Sequence, residues 1–476
     1  MPTIDELRAQ GAAKLEAQAR RARKYQQYAD GEPEVIAILE KDDREVFKRL
    51  LNESRANWCE LVVTAVAERL HITGFDLGAP ESEGRLWTIW EANQMDADSD
   101  LVHTDALTQS RAFVMVQPDE DNPTGVQITG ESALEVAVLY QPGSRRRRRA
   151  AYKRWTEDGA GNFEVLITPE EIHTWEPGDE RPRTERNPAG RVNVIEFQPQ
   201  PRTVGPPQSE LEDAIPFQDR INTTIFGRLV ATDYGAFRQV WATGLKLQRR
   251  TVASSASPAV PVPSVSGPRA AERAPGAGPV PPAGGSQVVK PFNVGADRLL
   301  VNENPEGRFG SLAEGTLTGY LAATEQDVQH CAAITQTPPH YLLGALVNIG
   351  PEAIIAAETG LVSKVRRRSR YLGESWEDVA RIALSLVGDP AAVEVGARTV
   401  WAGFETRSDA QLLDALVKAQ SIGIPRRILW ERFGATREQI PQWEAMALAE
   451  ARQAAATQAI TFGAGGGDPY AALLGG

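Results

Sequence analysis

Residues 334–354 read ITQTPPHYLLGALVNIGPEAI, and they join two helical patterns through a proline-bounded apolar loop. Pro338 and Pro339 predict the end of the first helix, because proline lacks an amide donor and disfavours helical backbone at the residue before it. Residues 343–350 then form an apolar loop bounded by glycines. Pro351 suits the first turn of a second helix, where a backbone N–H has no helical partner to lose. The stretch therefore predicts a helix–loop–helix unit.

Long helices are predicted on both sides of this loop. Apolar residues at helical spacing indicate helices over 209–234 and 311–335. A further helix is predicted over 352–370. Ser375 with Asp378 resembles the start of a separate helix that runs to residue 386. The centre of the chain is therefore expected to be largely helical.

Charge separates the loop region from the segment before it. From Phe309 to Ser363 the sequence contains no lysine or arginine, although basic residues make up about a tenth of the chain. Five carboxylates lie in the same interval: Glu314, Glu325, Asp327, Glu352 and Glu358. Residues 239–300 contain only Glu272 and Asp297 as acids against seven basic residues: Lys246, Arg249, Arg250, Arg269, Arg273, Lys290 and Arg298. A charge boundary therefore separates the basic segment 239–300 from the cation-free segment 309–363 that follows it.

The N-terminal part of the chain combines helical and strand patterns. Helices are predicted within the first 70 residues and around 86–91. Four runs with strand character, separated by Asn-Pro, Pro-Gly and Asp-Gly turn signals, predict one small antiparallel sheet. The four runs are 112–116, 135–140, 147–155 and 163–167.

Composition changes again in two later segments. Residues 251–286 are rich in Pro, Ala, Gly, Ser and Val and show no periodicity, which predicts a disordered insertion looped out of a smaller β unit. Patterns typical of helix starts at Ser408 and Thr436 predict two C-terminal helices. The glycine-rich end from Gly463 predicts a mobile tail.

Overall composition excludes several classes of protein. The chain has 476 residues, 42% of them hydrophobic, and a formal charge of −12, which predicts a soluble folded protein of about three domains. No apolar run approaches the roughly 18 residues of a spanning helix, and no secretory signal is visible, so no membrane partner is expected. Cys59 and Cys331 are too few for a disulfide framework or a structural zinc site. The acidic total argues against a protein that grips nucleic acid over most of its surface.

Signatures of catalysis are missing from the sequence. There is no phosphate-binding loop, no His-Glu-x-x-His and no Gly-x-Ser-x-Gly, so no catalytic residue, metal or cofactor is predicted. The carboxylates at 96–100 imitate a calcium loop, but Leu101 and Leu107 stand where such a loop needs Gly and Glu. We therefore interpret them as a solvated loop at a helix start, and the acidic residues 119–121 as a hairpin turn.

Two other features have plain structural interpretations. Arg145 to Arg149 form the strongest local run of charge, which suits phosphate, an acidic neighbouring subunit or plain surface, and we favour an interface or surface over a DNA site. His330 and Cys331 are neighbours on a predicted helix, where adjacent side chains point about 100° apart. A thiol–imidazole pair is therefore not expected.

An ordered set of motifs resembles a known family. The set comprises residues 335–344, 348–354, 364–366 and 376–379, together with Asn57-Trp58, Arg69-Leu70, Gly74-Phe75, 102–107, Ser209-Glu210-Leu211 and 218–222. In this order, over residues 55–450, they resemble the tailed-bacteriophage portal proteins. The resemblance is to the SPP1-like branch from phages of actinobacteria and other Gram-positive hosts.

The resemblance implies an α+β portal-protein fold that assembles as a ring. It implies a wing over 1–208, stem helices over 209–234 and 311–337, and a clip over 235–310 that carries the insertion. It further implies a tunnel-loop region over 338–350, a wing or tunnel helix over 351–388, a helical crown over 389–456 and a flexible tail over 457–476.

The implied role is a channel at one capsid vertex, through which double-stranded DNA is packaged and ejected. The tunnel loop would be Leu343, Gly344, Ala345, Leu346, Val347, Asn348, Ile349 and Gly350, and candidate channel-lining residues are Glu314, Glu325 and Asp327. Candidate docking residues in the clip are Lys246, Arg249, Arg250, Lys290 and Arg298. The implied partners are further copies of the chain, commonly in a dodecamer, the terminase large subunit, the head–tail adaptor, and the major capsid and scaffolding proteins. The implied location is the virion, after assembly in the host cytoplasm.

This role gives the charge boundary a mechanical interpretation. A conduit must let a polyanion slide, and removing cations prevents the phosphate pairing that would hold the DNA in place. A basic clip would instead meet acidic docking surfaces. The alternatives are another head-assembly protein, such as an adaptor or scaffold, or a nuclease built on the acidic clusters at 96–100 or 119–121.

Overall fold

The computed structural model describes most of the chain. The described residues are 2–33, 45–236, 240–243, 249–251, 286–288, 308–311, 317–344, 351–393, 396–405, 409–435 and 439–464. The proposed disordered stretch between residues 251 and 286, and most of the predicted tunnel loop, lie outside these ranges.

The N-terminal half contains five helices and two groups of strands within the described residues. In chain order the elements are α1 (Ile4–Ala29), α2 (Glu45–Glu53), α3 (Trp58–Ala67), β1 (Ile72–Asp76), α4 (Pro80–Ala92), α5 (Met95–Gln109), β2 (Ala112–Pro118), β3 (Val126–Glu131), β4 (Val136–Tyr140), β5 (Arg148–Glu157), β6 (Gly161–Ile167), β7 (Glu171–Trp175), β8 (Arg183–Arg186) and β9 (Val194–Phe197).

The remainder is dominated by helices. The elements are α6 (Ile215–Ala236), β10 (Val240–Thr243), β11 (Arg249–Thr251), β12 (Ser286–Val288), β13 (Arg308–Ser311), α7 (Thr318–Thr335), α8 (Pro339–Leu343), α9 (Pro351–Leu386), β14 (Arg398–Trp401), α10 (Asp409–Ser421), α11 (Arg426–Phe433) and α12 (Gln439–Ala464). The α+β class is therefore confirmed. No helix among the described residues is long and apolar enough to cross a bilayer.

Residue contacts divide the chain into two compact units. The first unit comprises Met1–Glu34, Asn57–Gln218 and Val328–Gly476, and the second comprises Val35–Ala56 and Asp219–Asp327. The second unit thus groups part of the predicted wing with the predicted stem and clip segments. Both units are built from separated stretches of sequence.

In the first unit the strands form two main antiparallel sheets, so the prediction of one small sheet is wrong. The orders are β3-β2-β9 and β4-β5-β6-β7-β8, and β1 pairs with β14. Strand β2 is shared between its hairpin partner β3 and the distant β9, through pairs such as Val114 with Ile195. A partner about eighty residues away leaves no local turn signal, which is why the sequence pattern merged the two sheets.

Helix α1 covers the five-stranded sheet. Leu7 and Leu15 pack with Tyr152, Leu166 and Trp175 in a buried cluster. Leu7 and Leu15 are eight residues apart in the sequence and therefore lie on the same face of α1. The Gln18 side-chain amide also donates to the backbone oxygens of Ala133, at 2.9 Å, and Val136. Polar and apolar contacts together fix the helix on the sheet.

Gly11 lies at the closest approach of α1 to this sheet. A Cβ added at Gly11 would lie 2.5 Å from the Cβ of Tyr152. We expect Gly11→Ala to lower the free energy of unfolding by about 1–3 kcal/mol, because the helix must move off a packed surface. Chemical denaturation measures this change. Gly84 is the control, because a Cβ there meets nothing within 4 Å. Gly84→Ala should be neutral or stabilise the protein by up to about 1 kcal/mol, and an equal loss in both variants would contradict the packing argument.

Helix α9 is continuous over 36 residues, so the predicted break between 370 and 375 is wrong. The hydroxyl of Ser375 does not cap a helix start but donates to the backbone oxygen of Glu196 in β9, at 3.1 Å. The hydrogen bond from Ser375 to β9 thus explains a residue that resembles a helix start in the sequence.

Two other predicted boundaries move. Ser311 belongs to strand β13, paired with Val240, so α7 begins at Thr318 rather than at residue 311. Helix α12 continues to Ala464, so residues 457–464, expected in the flexible tail, are helical. The N-terminal helical prediction for 34–44 lies outside the described residues.

The second unit contains α2, most of α6, the first half of α7 and two short antiparallel strand pairs. Strand β10 pairs with β13, and β11 pairs with β12. Gly227 in α6 lies beside Tyr320 in α7, where an added Cβ would be 3.1 Å from the ring. Arg49 of α2 lies 3.6 Å from Asp233 of α6.

Candidate functional site

The end of α7 is a tightly hydrogen-bonded turn. Gln336 adopts a left-handed backbone with φ of 53°, and the Thr337 N–H donates to the backbone oxygen of Ala332, at 3.0 Å. This pairing is the Schellman arrangement that ends many helices. The Thr335 hydroxyl donates to the backbone oxygen of Cys331, at 2.7 Å. Gln336 and Thr337 therefore help the prolines that follow them to end α7 where the sequence predicts.

Helix α8 leads into the predicted tunnel loop. Leu343 is its last residue, and Gly344 ends it with φ of 64° and an N–H bond to the backbone oxygen of His340, at 3.1 Å. Leu343 is therefore helical rather than part of a loop. The remaining tunnel-loop candidates lie outside the described residues: Ala345, Leu346, Val347, Asn348, Ile349 and Gly350.

Two residues of the N-terminal region hold α8 in place. The Trp58 indole N–H donates to the backbone oxygen of Leu342, at 3.0 Å. The Arg69 guanidinium donates to the Tyr341 hydroxyl, at 2.7 Å, and lies 3.6 Å from the Glu358 carboxylate of α9. The side chains of Arg69 and Glu358 are only 9% and 7% exposed. Residues far apart in sequence therefore position both ends of the loop.

A buried ion cluster fixes α9 to the end of α7. The Lys364 ammonium lies 2.9 Å from the Glu210 carboxylate and donates to the backbone oxygen of Thr335, at 2.8 Å. The Arg368 guanidinium donates to the same carboxylate, and Gln200 donates to it at 2.9 Å. Burial alone raises the pKa of Glu210, but the two facing cations lower it overall. We call Glu210, Lys364 and Arg368 the buried triad.

The acidic channel-lining candidates differ in their surroundings. In the second unit, Asp327 of α7 lies 3.0 Å from the Arg220 guanidinium of α6, so its charge is offset. Glu325 is exposed. Glu314 lies outside the described residues.

The basic clip candidates are only partly described. Arg249 and Arg250 lie in β11, where they pair in register with Val288 and Gln287 of β12. Lys246, Lys290 and Arg298 lie outside the described residues. Their docking role stays a prediction.

The arginine run divides into anchored and displayed residues. Arg148 lies 3.1 Å from the Asp378 carboxylate of α9. Arg145, Arg146 and Arg147 are exposed on the turn between β4 and β5, where the Ser144 hydroxyl accepts from the Arg147 N–H at 3.0 Å. The run is therefore an ordered hairpin tip.

The acidic clusters have structural partners. Asp96 lies in the first turn of α5, not in a loop as expected, and accepts the Trp90 indole N–H at 2.9 Å. Asp119 closes the β2–β3 turn by accepting from the Asp121 N–H at 3.0 Å. Within the described ranges no group of three or more His, Cys, Asp or Glu residues could hold a metal ion.

The His330–Cys331 pair behaves as predicted from helix geometry. His330 is exposed, whereas Cys331 is buried. Burial raises the pKa of the Cys331 thiol to about 11. This thiol stays protonated near neutral pH and is a poor nucleophile.

The sequence did not predict which residues hold the end of α7, α8 and α9 together. Trp58, Arg69, Glu210 and Lys364 all lie in motifs that carry the family resemblance, but spacing along the chain assigned them no contact. Arg368 lies outside those motifs. The ordered set of family motifs therefore pointed to four of these five residues, whereas no local sequence pattern did.

Comparison with known proteins agrees with this architecture. The family model described as phage portal protein, SPP1 Gp6-like, matches residues 12–457. The portal protein of Mycobacterium phage D29 is 27% identical over 405 residues, which cover 81% of this chain and 77% of the relative. The portal protein of Mycobacterium phage L5 is 26% identical over 446 residues, covering 87% and 83%.

Two solved structures match this chain at low identity and with TM-scores below 0.5. A chain in "Neck of empty GTA particle computed with C6 symmetry" has a TM-score of 0.42 and 10% identity, covering 84% of this chain and 98% of that chain. A chain in "Virion of native gene transfer agent (GTA) particle" has a TM-score of 0.39 and 12% identity, covering 83% and 90%.

An α+β chain whose short central helix α8 is held by Trp58 and Arg69, matched by this family over nearly its whole length, is a structural protein of the phage portal class. The chain belongs to the SPP1 Gp6-like family of phage portal proteins. It functions as a portal protein, and its place is the virion.

Proposed function

We propose that copies of this chain form a ring around a channel at one capsid vertex, through which double-stranded DNA is packaged and ejected. In this proposal α7, α8 and the start of α9 face the DNA, together with the predicted loop 343–350. The observation that carries it is the run from Phe309 to Ser363 without lysine or arginine. DNA affinity comes from cations that displace phosphate counterions, so such a surface offers nothing to hold a sliding duplex.

Two of the cations that follow the run support this proposal, whereas Arg366 and Arg367, which lie between them in the sequence, are exposed. Lys364 is the first cation after the run, and it is buried against Glu210 with only 4% of its side chain exposed. Arg368 is similarly buried at 7%. Both are therefore occupied by a carboxylate inside the fold and are withheld from solvent phosphate.

Exposed apolar side chains support assembly with further copies. The C-terminal helices display large hydrophobic residues at 49–64% exposure: Leu413, Val417, Met446 and Leu448. Exposed large apolar side chains are available for contact with other chains. We assign these side chains to contacts with neighbouring copies in the ring, with twelve copies as the expected number.

The remaining partners follow from the role of a portal. The proposal includes docking of the terminase large subunit and the head–tail adaptor at the basic clip, and contact with major capsid and scaffolding proteins. Assembly takes place in the host cytoplasm. ATP hydrolysis is assigned to the terminase, because the sequence has no phosphate-binding loop. The wing, stem, clip and crown boundaries belong to the same proposal.

Adding cations to the run tests the sliding argument. His330 and Ala333 are exposed on α7. We expect His330→Lys/Ala333→Lys to slow terminase-driven DNA packaging roughly tenfold at low salt, because ring copies multiply each new phosphate contact. Added monovalent salt should restore the rate, because it weakens lysine–phosphate pairing. Packaging of labelled DNA into purified proheads, followed across a salt series, measures both effects.

A matched control adds the same charge elsewhere. Ala160 is exposed at the β5–β6 turn, and Val204 is 86% exposed. Ala160→Lys/Val204→Lys should package at the wild-type rate. The proposal fails if the two variants slow packaging equally, if neither slows it, or if salt does not relieve the slowing.

A further inference from the structure

A basic groove runs along the outer side of α1. It encloses about 450 Å³ and is lined by Glu16, Ala19, Arg20, Arg23, Lys24 and Gln27 of α1 and by Arg154 of β5. We call this the α1 groove. It lies entirely within the first unit and contains four cations against one carboxylate.

Helical spacing explains why these cations share one side. Positions 16, 20, 23, 24 and 27 recur at intervals of three and four residues, which places them on one face of a helix. Arg20, Arg23 and Lys24 are exposed, whereas Ala19 and Ala22 face the sheet and are buried. The groove is therefore a continuous basic stripe on a rigid helix.

Other cations of the same two elements are used inside the fold. Arg8 lies 2.6 Å from the Glu164 carboxylate, and Lys153 lies 2.8 Å from that of Glu131. The Lys14 ammonium donates to the backbone oxygen of Val138, at 2.6 Å. α1 and β5 thus contain cations that stabilise the packing of α1 and the sheets.

The three groove cations of α1 have no such use. Across the described ranges, no ion pair or side-chain hydrogen bond joins Arg20 or Arg23 to another residue. Lys24 lies only over the Tyr28 ring, at 6.0 Å. Arg154 lies opposite Glu164 in the β5–β6 register, so its charge is partly offset. Holding the three α1 cations together on one helix face is unfavourable unless an anion offsets them.

We propose that the α1 groove binds a carboxylate-rich segment of a partner protein. The groove spans the stretch of α1 from Glu16 to Gln27, or about 17 Å at 1.5 Å per residue. That length suits a peptide segment with several carboxylates, and arginine pairs with carboxylates through two parallel hydrogen bonds. This inference is independent of the proposed DNA channel.

Charge and shape favour an acidic peptide over duplex DNA. Duplex DNA presents a charge about every 1.7 Å and is bound by extended basic surface, whereas this chain carries a formal charge of −12. A short acidic segment meets only the local positive field of the groove. DNA binding is therefore the competing outcome of the test.

The experiment uses the full-length protein and a defined probe. A fluorescein-labelled peptide of three Glu-Ala-Ala-Glu repeats is titrated with the wild-type protein, and binding is followed by fluorescence anisotropy. We expect saturable binding, and about a tenfold or greater loss of affinity in Arg20→Glu/Arg23→Glu/Lys24→Glu, since each lost charge pair weakens binding several-fold. A peptide with Gln in place of Glu should not bind.

The hairpin tip provides a matched control. Arg145→Glu/Arg146→Glu/Arg147→Glu changes the net charge by the same amount at exposed residues outside the groove. Its affinity for the acidic peptide should stay within about twofold of wild type. Circular dichroism confirms that each variant folds, and Arg20→Gln/Arg23→Gln repeats the test with a milder change.

Three results would overturn the proposal. One is that the wild-type protein does not bind the acidic peptide. Another is that the groove and tip variants lose equal affinity, which would indicate only a general charge effect. The last is that a short DNA duplex binds the wild-type protein more tightly than the peptide and depends more strongly on the groove residues.

Discussion

Replacing Glu210 with glutamine is expected to lower the free energy of unfolding by about 3–5 kcal/mol, because removing one member of a buried ion cluster leaves the others uncompensated. Glu210 contacts Lys364 at 2.9 Å and also accepts from Arg368. All three side chains are at most 7% exposed. The variant therefore places two cations in a buried site without their carboxylate.

Urea denaturation of wild type and Glu210→Gln measures this loss. Asp414 and Lys418 are the control pair, since they lie 2.6 Å apart but are 64% and 75% exposed. Asp414→Asn should cost less than about 1 kcal/mol. Equal effects at the two sites would show that the triad contributes no more than an exposed ion pair.

The same site predicts a dependence of stability on pH. The folded-state pKa of Glu210 is lowered, so its ion pairs contribute fully above the unfolded-state pKa of about 4.3. This contribution is lost as the pH falls through the folded-state pKa. Wild type should therefore lose more stability on acidification than Glu210→Gln does, as denaturation midpoints at a series of pH values will show.

Replacing Trp376 with alanine is expected to lower the free energy of unfolding by about 3–5 kcal/mol, because it leaves a cavity where α9 packs against the N-terminal elements. The Trp376 ring is fully buried, with centroids 4.7 Å from Phe197 and 5.1 Å from Trp90. Its indole N–H donates to His103 Nε2, at 2.8 Å. Burial lowers the pKa of His103 to about 3, so this ring accepts as a neutral imidazole.

Two further variants separate packing from hydrogen bonding. Trp376→Phe keeps most of the ring but leaves His103 without its donor, which should cost about 1–3 kcal/mol. Trp155 stacks on Phe163 at 5.2 Å but is only half-buried. Trp155→Ala should therefore cost less than Trp376→Ala, and the reverse order by urea denaturation would contradict the assignment of Trp376 as a core residue.

The sequence predicted local structure well where the signal lies within one element. Pro351 begins α9, as its fixed backbone angle favours, whereas the short helix α8 that begins at Pro339 was not predicted. Strands β2, β4, β5 and β6 lie at the four runs that have strand character in the sequence. The prediction failed for α5, where Asp96 and its neighbours suggested a loop, because aspartate has low helix propensity except near a helix start.

The candidate site was harder to predict because its contacts are distant along the chain. Arg368 is 158 residues from Glu210, and Trp58 is 284 residues from Leu342. No periodicity or turn signal connects such pairs. The absence of lysine and arginine over 309–363 is different, because it is a property of the sequence itself and was visible without a structure.

The short β11–β12 pair gives the chain a site for changes in length. Thr251 pairs with Ser286, so the 34 residues between them, 252–285, start and finish on neighbouring strands about 5 Å apart. The free energy of closing a flexible loop grows only slowly with its length. Deletions, expansions or an inserted epitope tag at this point therefore leave the strand register intact.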